Sequence, residues 1–492
     1  MSFTKMNTLS VNLDAAFKPK SIAIIGASND RKKLGGADMS VLIESGFEGE
    51  IYPINTKESL VQGYKAYKTV LEVPDEIDRA TIILPTRFVL NAVKECAEKG
   101  IKVVQIYSAG FGEFGEEGRK IEEEMVDIAR KHSMSIVGPN CIGTFCPLGK
   151  ISFARGTSMT LGSVAFVSQS GGIAFDMVNR GNVQGIHYSK VISVGNCIDL
   201  DHADYLQYLS DDEDTKVIGL YIESVKDGQK FLKTLKEATK KKPVIILKGG
   251  RTESGSQSVA SHTGNLAGSY QIWEALFEQT GAIQVKSIEE MLTVLLAFQE
   301  LKPYSLGSVA LIGNGGGATV LATDYLEEVE LHLAKLTNQT HFTLSDLGVS
   351  SNGRNANPID LPAYELALND CNLFGDIIRA YSKDEEVKYI LFHLNLIPFA
   401  QYFDLEGILE KFMNQLVTVD LSTVNLIGVF RSNEDPGIEV KRHAAVKKLQ
   451  SKGIPIFRTI EQAAFGISTV TKSMKTDRRS SCEGPAGYES VE

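Results

Sequence analysis

Short apolar runs alternate with longer amphipathic segments along the first 150 residues. The runs are rich in β-branched side chains, as in SIAII at Ser21–Ile25, while apolar residues recur at helical spacing in 87–99 and Glu116–Lys131. Apolar strands separated by helices of this length predict a parallel sheet covered by helices on both faces. The other strands predicted in this part of the chain are 51–54, 80–84, 103–106 and 135–137.

The same pattern resumes twice after a less regular stretch at 148–161. The second set of predicted strands is 164–167, 190–194, 217–222 and 243–247, and the third is 309–312, 387–394, 426–430 and 454–457. Beyond residue 472 the chain becomes polar and contains Gly, Ser and Pro, which favours disorder. We therefore expect the α/β class, with a Rossmann-like domain in 1–150, two further α/β domains in 160–302 and 305–472, and a disordered tail in 473–492.

The second and third domains start with similar segments. SVAFVSQSGG at 163–172 and SVALIGNGGG at 308–317 share five of ten aligned positions, and each predicts a buried strand, a turn of small residues and a helix. This similarity favours an internal repeat of two related α/β units.

Composition and charge narrow the class of protein. The hydrophobic fraction of 43% is ordinary for a globular chain, and the net charge of -10 argues against a nucleic-acid partner. The six cysteines form no CxxC pair, which favours reduced thiols in the cytosol and no structural zinc. Since there is neither a signal peptide nor an apolar run near the ~18 residues of a membrane span, we expect a cytoplasmic protein with no membrane contact.

Two turns of small residues are candidates for phosphate binding. A strand that runs through such a turn into a helix presents free backbone N–H groups, and the helix dipole adds to their attraction for an anion. The alternative is that these turns are only tight connections. The candidate residues are Ser168, Gln169, Ser170, Gly171, Gly172, Asn314, Gly315, Gly316 and Gly317.

One histidine lies in an unusual segment. After the apolar run PVIILK, some twenty small, polar and glycine residues surround His262 before a helical pattern resumes near Tyr270. Long structureless connections of this kind are often functional loops. Neutral imidazole is nucleophilic near pH 7, so a loop that presents His262 suits attack on a phosphoryl group. The alternative is an ordinary surface histidine.

These segments together resemble the NDP-forming acyl-CoA synthetases, the ADP-forming acetate–CoA ligases related to succinyl-CoA synthetase. The resemblance extends over about residues 10–470 and implies a CoA-binding domain followed by two flavodoxin-like domains of the succinyl-CoA synthetase type. The motifs that carry it are SIAIIGAS (21–28), GFGEFG (110–115), GPNCIG (138–143), VSQSGG (167–172), SVGN (193–196), SHTGNLAG (261–268), NGGG (314–317) and NPIDL (357–361).

The resemblance implies an acid–thiol ligase. Acyl-CoA, ADP and phosphate are converted reversibly to the acid, CoA and ATP through an acyl phosphate and a phosphohistidine. His262 matches the histidine that carries the phosphoryl group, and Glu223 matches the glutamate that orients it. A strand-end salt bridge is the alternative for Glu223. Asp199 and Asp201 are weaker candidates for the same neighbourhood, where solvated or capping roles are equally open.

The resemblance also implies CoA binding by the first domain, at the carboxyl ends of its strands. The candidate residues are Gly26, Ser28, Lys57, Pro85, Thr86, Ser108, Gly110, Asn140 and Cys141. We expect Cys141 to line the site near the CoA thiol and not to act as a nucleophile. The turn at Gly26 does not complete a GxGxxG fingerprint, which disfavours an NAD-dependent dehydrogenase.

No ATP-grasp pattern is found in the sequence. The resemblance therefore implies that ATP or ADP and Mg²⁺ bind a separate β subunit, in an α2β2 assembly, and that this chain has no metal site of its own. A CoA- or acyl-CoA-binding regulatory protein without catalysis is the competing interpretation. The acid is not determined by the sequence, although acetate is the default, and neither is the choice between ADP and GDP.

Overall fold

The computed structural model describes residues 12–263, 270–304, 307–349 and 356–482. The chain forms two compact units, Met1–Met291 and Leu292–Glu492. The first unit contains two large sheets and the second contains one, and helices alternate with parallel strands in all three. The predicted α/β class is thus confirmed, while the predicted domain borders stay predictions.

The first sheet is entirely parallel and has the strand order β2-β1-β5-β6-β7. Its strands are nearly continuous apolar runs, as expected where helices cover both faces. A short antiparallel hairpin, β3 with β4, follows β2. The strands are β1 (Ser21–Ile25), β2 (Glu50–Ile54), β3 (Leu60–Val61), β4 (Tyr64–Lys65), β5 (Arg79–Ile82), β6 (Val103–Ile106) and β7 (Ser135–Val137), and the helices are α1 (Leu34–Glu44), α2 (Val89–Lys99) and α3 (Glu116–Lys131).

The second sheet has the strand order β13-β12-β11-β9-β10-β8. Strand β8 pairs with β10 in antiparallel fashion, so residues placed in the predicted first domain supply an edge of the second sheet. One apolar cluster, which includes Phe17, Val103 and Val194, joins the two sheets. The strands are β8 (Thr144–Phe145), β9 (Val164–Ser168), β10 (Tyr188–Ser193), β11 (Val217–Ile222), β12 (Val244–Lys248) and β13 (Ile283–Val285), and the helices are α4 (Gly171–Val183), α5 (His202–Asp211), α6 (Gly228–Thr239), α7 (Glu253–Thr263) and α8 (Tyr270–Thr280). Helix α9 (Ile288–Glu300) contains the border between the two units.

The segment around His262 differs from its prediction. Helix α7 covers Glu253–Thr263, so the expected structureless loop is wrong for these residues. The Thr252 hydroxyl accepts a hydrogen bond from the Gly255 N–H at 3.1 Å and starts the helix. The buried side chain of Val259 anchors the helix, so tertiary packing outweighs the weak helix propensity of a Ser- and Gly-containing segment. Residues 264–269 lie outside the described part of the chain.

The sheet of the second unit has the order β15-β14-β17-β18-β19, with β16 also paired to β14. This is the flavodoxin-like order 2-1-3-4-5. The strands are β14 (Ser308–Gly313), β15 (His332–Leu333), β16 (Ile359–Asp360), β17 (Tyr389–Asn395), β18 (Asn425–Arg431) and β19 (Ile456–Phe457), and the helices are α10 (Gly316–Glu328), α11 (Asn338–Asp346), α12 (Ala363–Ala367), α13 (Asn372–Ser382), α14 (Leu396–Tyr402), α15 (Leu405–Leu416), α16 (Pro436–Gln450) and α17 (Ile460–Cys482).

The end of the chain also differs from expectation. Helix α17 continues to Cys482, so residues 473–482 are helical where the sequence favoured disorder. Residues 483–492, the rest of the predicted tail, are outside the description. In the described ranges, no helix is both long enough and apolar enough to cross a membrane.

Burial of the Phe374 ring is expected to contribute strongly to the stability of the second unit. Its ring is fully buried and makes edge-to-face contacts with Phe392 and Phe412, at centroid distances of 5.8 and 4.9 Å. Phe374→Ala should lower the free energy of unfolding of this unit by about 3–5 kcal/mol, because it leaves a cavity. Urea denaturation followed by circular dichroism measures the effect.

The control is Phe342→Ala in the same unit, since the Phe342 side chain is 68% exposed. That change should cost no more than about 0.5 kcal/mol. Equal losses from the two substitutions would contradict the central place of Phe374 in the core.

Candidate functional site

Three loops meet at the carboxyl edge of the first sheet. The Ser108 hydroxyl donates to the Leu84 carbonyl at 2.5 Å, and the Thr86 hydroxyl donates to the Ala109 carbonyl at 2.7 Å. The Asn140 N–H donates to the Ser108 carbonyl at 2.9 Å. The structure thereby brings together the predicted residues that follow β5, β6 and β7. They include Gly110 and also Pro85, which precedes the 3-10 turn Thr86–Phe88.

The turn after β1 requires glycine. Gly26 has φ +95°, and a β-carbon there would lie 2.2 Å from the Ile83 carbonyl oxygen. Gly35, in the first turn of α1, approaches so closely that its β-carbon would lie 2.0 Å from the Gly26 carbonyl oxygen. The start of α1 is therefore packed directly against this turn, where helix N–H groups favour an anion.

Ser28 and Lys57 lie on the same side of this edge. The Ser28 hydroxyl accepts the Asp30 N–H at 3.1 Å. Asn55 ties the two loops together, because its amide donates to the Ala27 carbonyl at 2.8 Å and its side-chain oxygen accepts the Lys57 N–H at 2.8 Å. The Lys57 side chain is exposed. Sequence reasoning missed Asn55, although an Asn two residues before Lys57 is a typical Asx turn.

The Cys141 thiol is buried and has no role as a nucleophile in the predicted site. Its Sγ lies 3.4 Å from the Ile106 carbonyl oxygen and 3.7 Å from that of Val137. Burial raises the pKa of the thiol to about 12, although the nearby Arg79 charge opposes the shift. Because the thiolate is the reactive form, the raised pKa disfavours Cys141 as a nucleophile near neutral pH. Its contact with a CoA thiol stays a prediction.

The loop after β10 packs against the turn after β7. The Asn196 N–H donates to the Pro139 carbonyl at 3.0 Å, and the Ile198 N–H donates to the Gly138 carbonyl at 3.2 Å. Gly195 has φ +52°, and a β-carbon there would lie 2.1 Å from the Pro139 carbonyl oxygen. The two sheets of the first unit are thus joined at the carboxyl edge where the candidate residues lie.

Asp199 and Asp201 have structural contacts. The Asp199 carboxylate accepts the Ile136 N–H at 3.0 Å. Asp201 caps α5 by accepting the Ala203 N–H at 2.8 Å, and Lys230 pairs with it at 3.1 Å. The capping role left open by the sequence is the one that Asp201 has in the structure.

The first candidate phosphate turn, Ser168–Gly172, begins helix α4. The Ser170 hydroxyl is the N-cap and accepts the Ile173 N–H at 3.4 Å, while the Ser168 hydroxyl donates to the Ser170 carbonyl at 2.6 Å. The side-chain oxygen of Gln169 accepts the N–H groups of Glu223 at 2.8 Å and Ser224 at 3.0 Å. Gln169 therefore connects this turn to the loop that carries Glu223, a link that the sequence did not reveal.

Glu223 is buried beside the segment that leads into α7. Its carboxylate accepts a hydrogen bond from the Tyr221 hydroxyl at 3.2 Å. A β-carbon at Gly249 would lie 2.7 Å from the Tyr221 oxygen and 3.4 Å from Glu223 Cγ, so glycine lets the β12–α7 connection pass close by. Glu223 thus lies beside the start of the β12–α7 connection, which leads to His262. The side chain of His262 is outside the description.

Lys248, the last residue of β12, is a functional candidate that sequence reasoning missed. Its side chain is 2% exposed. Its ammonium donates to the Glu223 carbonyl at 2.8 Å and lies 5.4 Å from the centre of the Trp273 ring. Burial lowers its pKa to about 8, and the Glu223 charge partly opposes that shift. The signal in the sequence was a lysine that ends an otherwise apolar strand.

The second candidate phosphate turn, Asn314–Gly317, begins α10 in the second unit. Asn314 exchanges hydrogen bonds with the backbone of Asn395, and the Arg431 guanidinium donates to the Asn314 carbonyl at 2.6 Å. A β-carbon at Gly316 would lie 3.3 Å from an Asp360 carboxylate oxygen. A cation and a carboxylate thus flank this helix start. Phosphate binding by this turn stays a prediction.

A cavity of about 780 Å³ lies beside this second turn, at the carboxyl ends of β17, β18 and β19. Asn395, Arg431 and Arg458 line it together with Glu439 and Glu461. Because both cations and carboxylates line it, its charge alone selects no class of ligand.

Two family models match the chain. One, described as a CoA binding domain, matches residues 20–147, and the other, described as a succinyl-CoA ligase like flavodoxin domain, matches residues 161–298. These ranges contain the candidate residues of the first unit. The matched domains correspond to the two large sheets of that unit.

Curated proteins and solved structures are similar over most of the chain. The alpha subunit of acetate–CoA ligase (ADP-forming) II of Pyrococcus furiosus is 48% identical over 67% of this chain and 71% of that protein. The alpha subunit of ligase I of the same organism is 38% identical over 94% of this chain and 98% of that protein. A solved structure is similar as well, that of dinucleotide forming acetyl-coenzyme A synthetase 1 of Ca. Korarchaeum cryptofilum in complex with phosphate and ADP. Its sequence is 28% identical and its TM-score is 0.83, with 96% of this chain and 100% of that chain covered.

Lys248→Met is expected to remove a pH-dependent part of the stability of the first unit. The folded-state pKa of about 8 is below the ordinary 10.5, so between these values the unfolded chain binds the proton more tightly. This contribution favours folding as the pH rises from about 8 to 10.5 and is lost as the pH falls through 8. Urea denaturation at several pH values should show that the free energy of unfolding of wild type increases relative to that of Lys248→Met as the pH rises.

The exposed Lys216 provides the control. The difference in unfolding free energy between wild type and Lys216→Met should change little over the same range. A difference for Lys248→Met that is equally flat would contradict the lowered pKa.

Proposed function

The chain belongs to the family of ADP-forming acetate–CoA ligase alpha subunits, and on that basis we propose that it binds CoA and carries a phosphoryl group on His262. The family resemblance drawn from the motifs is thereby confirmed, and the enzyme is favoured over the regulatory CoA-binding protein. The single observation that carries the proposal is the near full-length similarity to the alpha subunit of ligase I.

The proposed reaction has three balanced steps. A phosphate oxygen attacks the thioester carbonyl, the carbon–sulfur bond breaks, and CoA leaves as a thiolate that takes a proton. A neutral imidazole nitrogen of His262 then attacks the phosphorus of the acyl phosphate, and the carboxylate leaves. Finally an oxygen of the ADP β-phosphate attacks the phosphohistidine, which forms ATP and frees the imidazole.

The carboxyl edge of the first sheet supports the proposed CoA site. In the turn between β1 and α1 the Ser28 hydroxyl is available to the phosphates, and the exposed Lys57 adds a cation. Helix α1 packs on this turn at Gly26, whose own N–H donates to the Ile54 carbonyl at 3.1 Å. Thr86, Ser108, Gly110 and Asn140 form the hydrogen-bonded loops on the other side of the edge. We place the pantetheine arm along these loops, leading toward the second sheet.

The surroundings of Glu223 support its proposed role. A carboxylate that binds one imidazole nitrogen fixes the tautomer and leaves the other nitrogen free to attack. Tyr221 and the Lys248 ammonium hold the Glu223 side chain and backbone. The acyl phosphate would form at the N-terminus of α4, which Gln169 ties to the Glu223 loop.

A separate subunit is proposed to complete the reaction. The three large sheets in the described ranges are built of alternating strands and helices, and two of them match the CoA-binding and flavodoxin-like families. We assign ADP or ATP and Mg²⁺ to an ATP-grasp β subunit, and we propose an α2β2 assembly. The name alpha subunit given to both relatives supports a partner chain.

His262→Ala is expected to abolish phosphorylation of the chain. Wild type incubated with acetyl-CoA and ³²P-phosphate should gain an acid-labile, base-stable label, as phosphoramidates do. Glu223→Gln should slow labelling by roughly 100-fold, within the range for lost acid–base assistance. His132→Ala removes an exposed histidine and serves as the matched control, which should label normally. Persistent label in His262→Ala would overturn the proposal.

Net ATP formation is expected only when the partner is present. The chain purified alone should form no ATP from acyl-CoA, phosphate and ADP, whereas the chain reconstituted with an ATP-grasp subunit should do so. A screen of acids in the reverse direction, beginning with acetate, would identify the substrate. ATP formation by the chain alone would refute the division of labour between subunits.

A further inference from the structure

The side chain of Asn196 joins the two sheets of the first unit by a network of polar contacts. Its amide nitrogen donates to Glu113 Oε2 at 2.7 Å and to Glu122 Oε1 at 2.9 Å. Its amide oxygen lies 3.5 Å from the amide nitrogen of Asn140, which donates to it. Asn196 therefore contacts, through one side chain, the loop after β6, helix α3 and the turn after β7.

The two glutamates in turn hold the backbone of the loop after β6. Glu113 Oε1 accepts the Gly110 N–H at 2.6 Å, and Glu122 Oε1 accepts the Gly112 N–H at 3.2 Å. A β-carbon at Gly112 would lie 2.5 Å from Glu122 Oε2, so this glycine allows the close approach. The position of the Gly110–Gly112 backbone thus depends on both carboxylates.

The network needs a neutral donor at its centre. Burial alone would raise the pKa of Glu113, but the N–H groups of its own loop and the Asn196 amide outweigh burial and lower it. Two N–H bonds of one amide can each satisfy a different carboxylate, which lets both acids stay near one another. A third carboxylate at this point would repel both.

The position of Asn196 itself is set by the second sheet. It follows β10, and Gly195 and the backbone of Asn196 pack on the Pro139 carbonyl as described above. The 3-10 turn Gly112–Phe114, which includes Glu113, also lies beside helix α7. The same network therefore borders the loops assigned to CoA and the helix that contains the backbone of His262.

We infer that Asn196 is a positioning residue for CoA, which acts by holding Glu113, Glu122 and Asn140 in place. This inference rests on the proposed function, because it takes the Ser108–Gly110 and Asn140 loops as part of the CoA site. Asn196 does not need to touch the cofactor. Its effect passes through the loop backbone, so its loss should weaken CoA binding more than it affects phosphoryl transfer to the histidine.

The first test measures CoA binding to the full-length chain by calorimetry. Asn196→Asp should weaken CoA affinity by about tenfold or more, since charge-assisted hydrogen bonds are replaced by repulsion. Asn91→Asp is the matched control, because the exposed Asn91 also donates to a glutamate, Glu95, at 2.8 Å. The control should bind CoA as wild type does. Melting curves verify that each variant is folded.

The second test separates CoA positioning from phosphoryl transfer. Labelling of the chain from acetyl-CoA and ³²P-phosphate uses the CoA site, whereas labelling from ³²P-acetyl phosphate bypasses it. For Asn196→Asp, the acetyl-CoA concentration that gives half-maximal labelling should rise about tenfold or more, while labelling from acetyl phosphate stays within about twofold of wild type. Asn196→Ser, which removes both amide N–H donors without adding charge and leaves one hydroxyl on a shorter side chain, replaces Asn196→Asp if the latter does not fold.

The third test exchanges donor and acceptor. Glu113→Gln alone places two amide nitrogens face to face when its oxygen accepts the Gly110 N–H. In the double variant Asn196→Asp with Glu113→Gln, the glutamine keeps an oxygen for the Gly110 N–H and offers its nitrogen to Asp at 196. CoA affinity of the double variant should exceed the value expected from multiplying the two single effects. Rescue should be partial, because Glu122 still faces the new carboxylate.

The outcomes separate the two proposals. Unchanged CoA affinity in both Asn196→Asp and Asn196→Ser would overturn the inference. Equal losses of labelling from acetyl-CoA and acetyl phosphate in a folded variant would also overturn it, since they indicate a general structural role. CoA binding that depends on Asn196 without phosphorylation of wild type from either donor would overturn the proposed function and leave the positioning role intact.

Discussion

Gly195 packs so closely on the turn after β7 that a β-carbon would lie 2.1 Å from the Pro139 carbonyl oxygen. This contact fixes the loop after β10 of the second sheet on the edge of the first. The hydrogen bonds of the Asn196 side chain with Glu113, Glu122 and Asn140 depend on it, because each joins this loop of the second sheet to the first sheet. The proposed CoA site therefore depends on the docking of two sheets within one unit, and a CoA-binding sheet by itself would lack the Asn196 contacts.

Two buried charged side chains lie where the β12–α7 connection passes Glu223. The Lys248 ammonium and the Glu223 carboxylate are both nearly inaccessible to water, and each is held by backbone or hydroxyl groups. Removing charges from water is costly, and a buried group with a shifted pKa, here Lys248, is common at functional sites. Both groups border the segment that bears His262. That placement agrees with a carboxylate that must keep a fixed orientation relative to a histidine.

The strands were predictable because their residues are buried on both faces. Runs such as SIAII and VIGLYI leave little alternative to a strand in a parallel sheet. Predictions from the local residue pattern were wrong where tertiary contacts determine the secondary structure. Helix α7 forms in a segment of weak helix propensity because Val259 is buried, and α17 extends past residue 472. The edge strand β8 was also missed, since two residues paired with a distant strand leave no periodic signal.

The sequence by itself determined the α/β class, the family and the candidate chemistry, because these follow from short local motifs such as VSQSGG and GPNCIG. Only the tertiary structure decided which side chains act together. Gln169 reaches the backbone at Glu223, Lys248 reaches the Glu223 carbonyl, and Asn196 bridges Glu113 and Glu122 across 83 and 74 residues of sequence. A hydrogen bond requires atoms within about 3 Å, and the distance between residues far apart in sequence is set by the packing of the sheets.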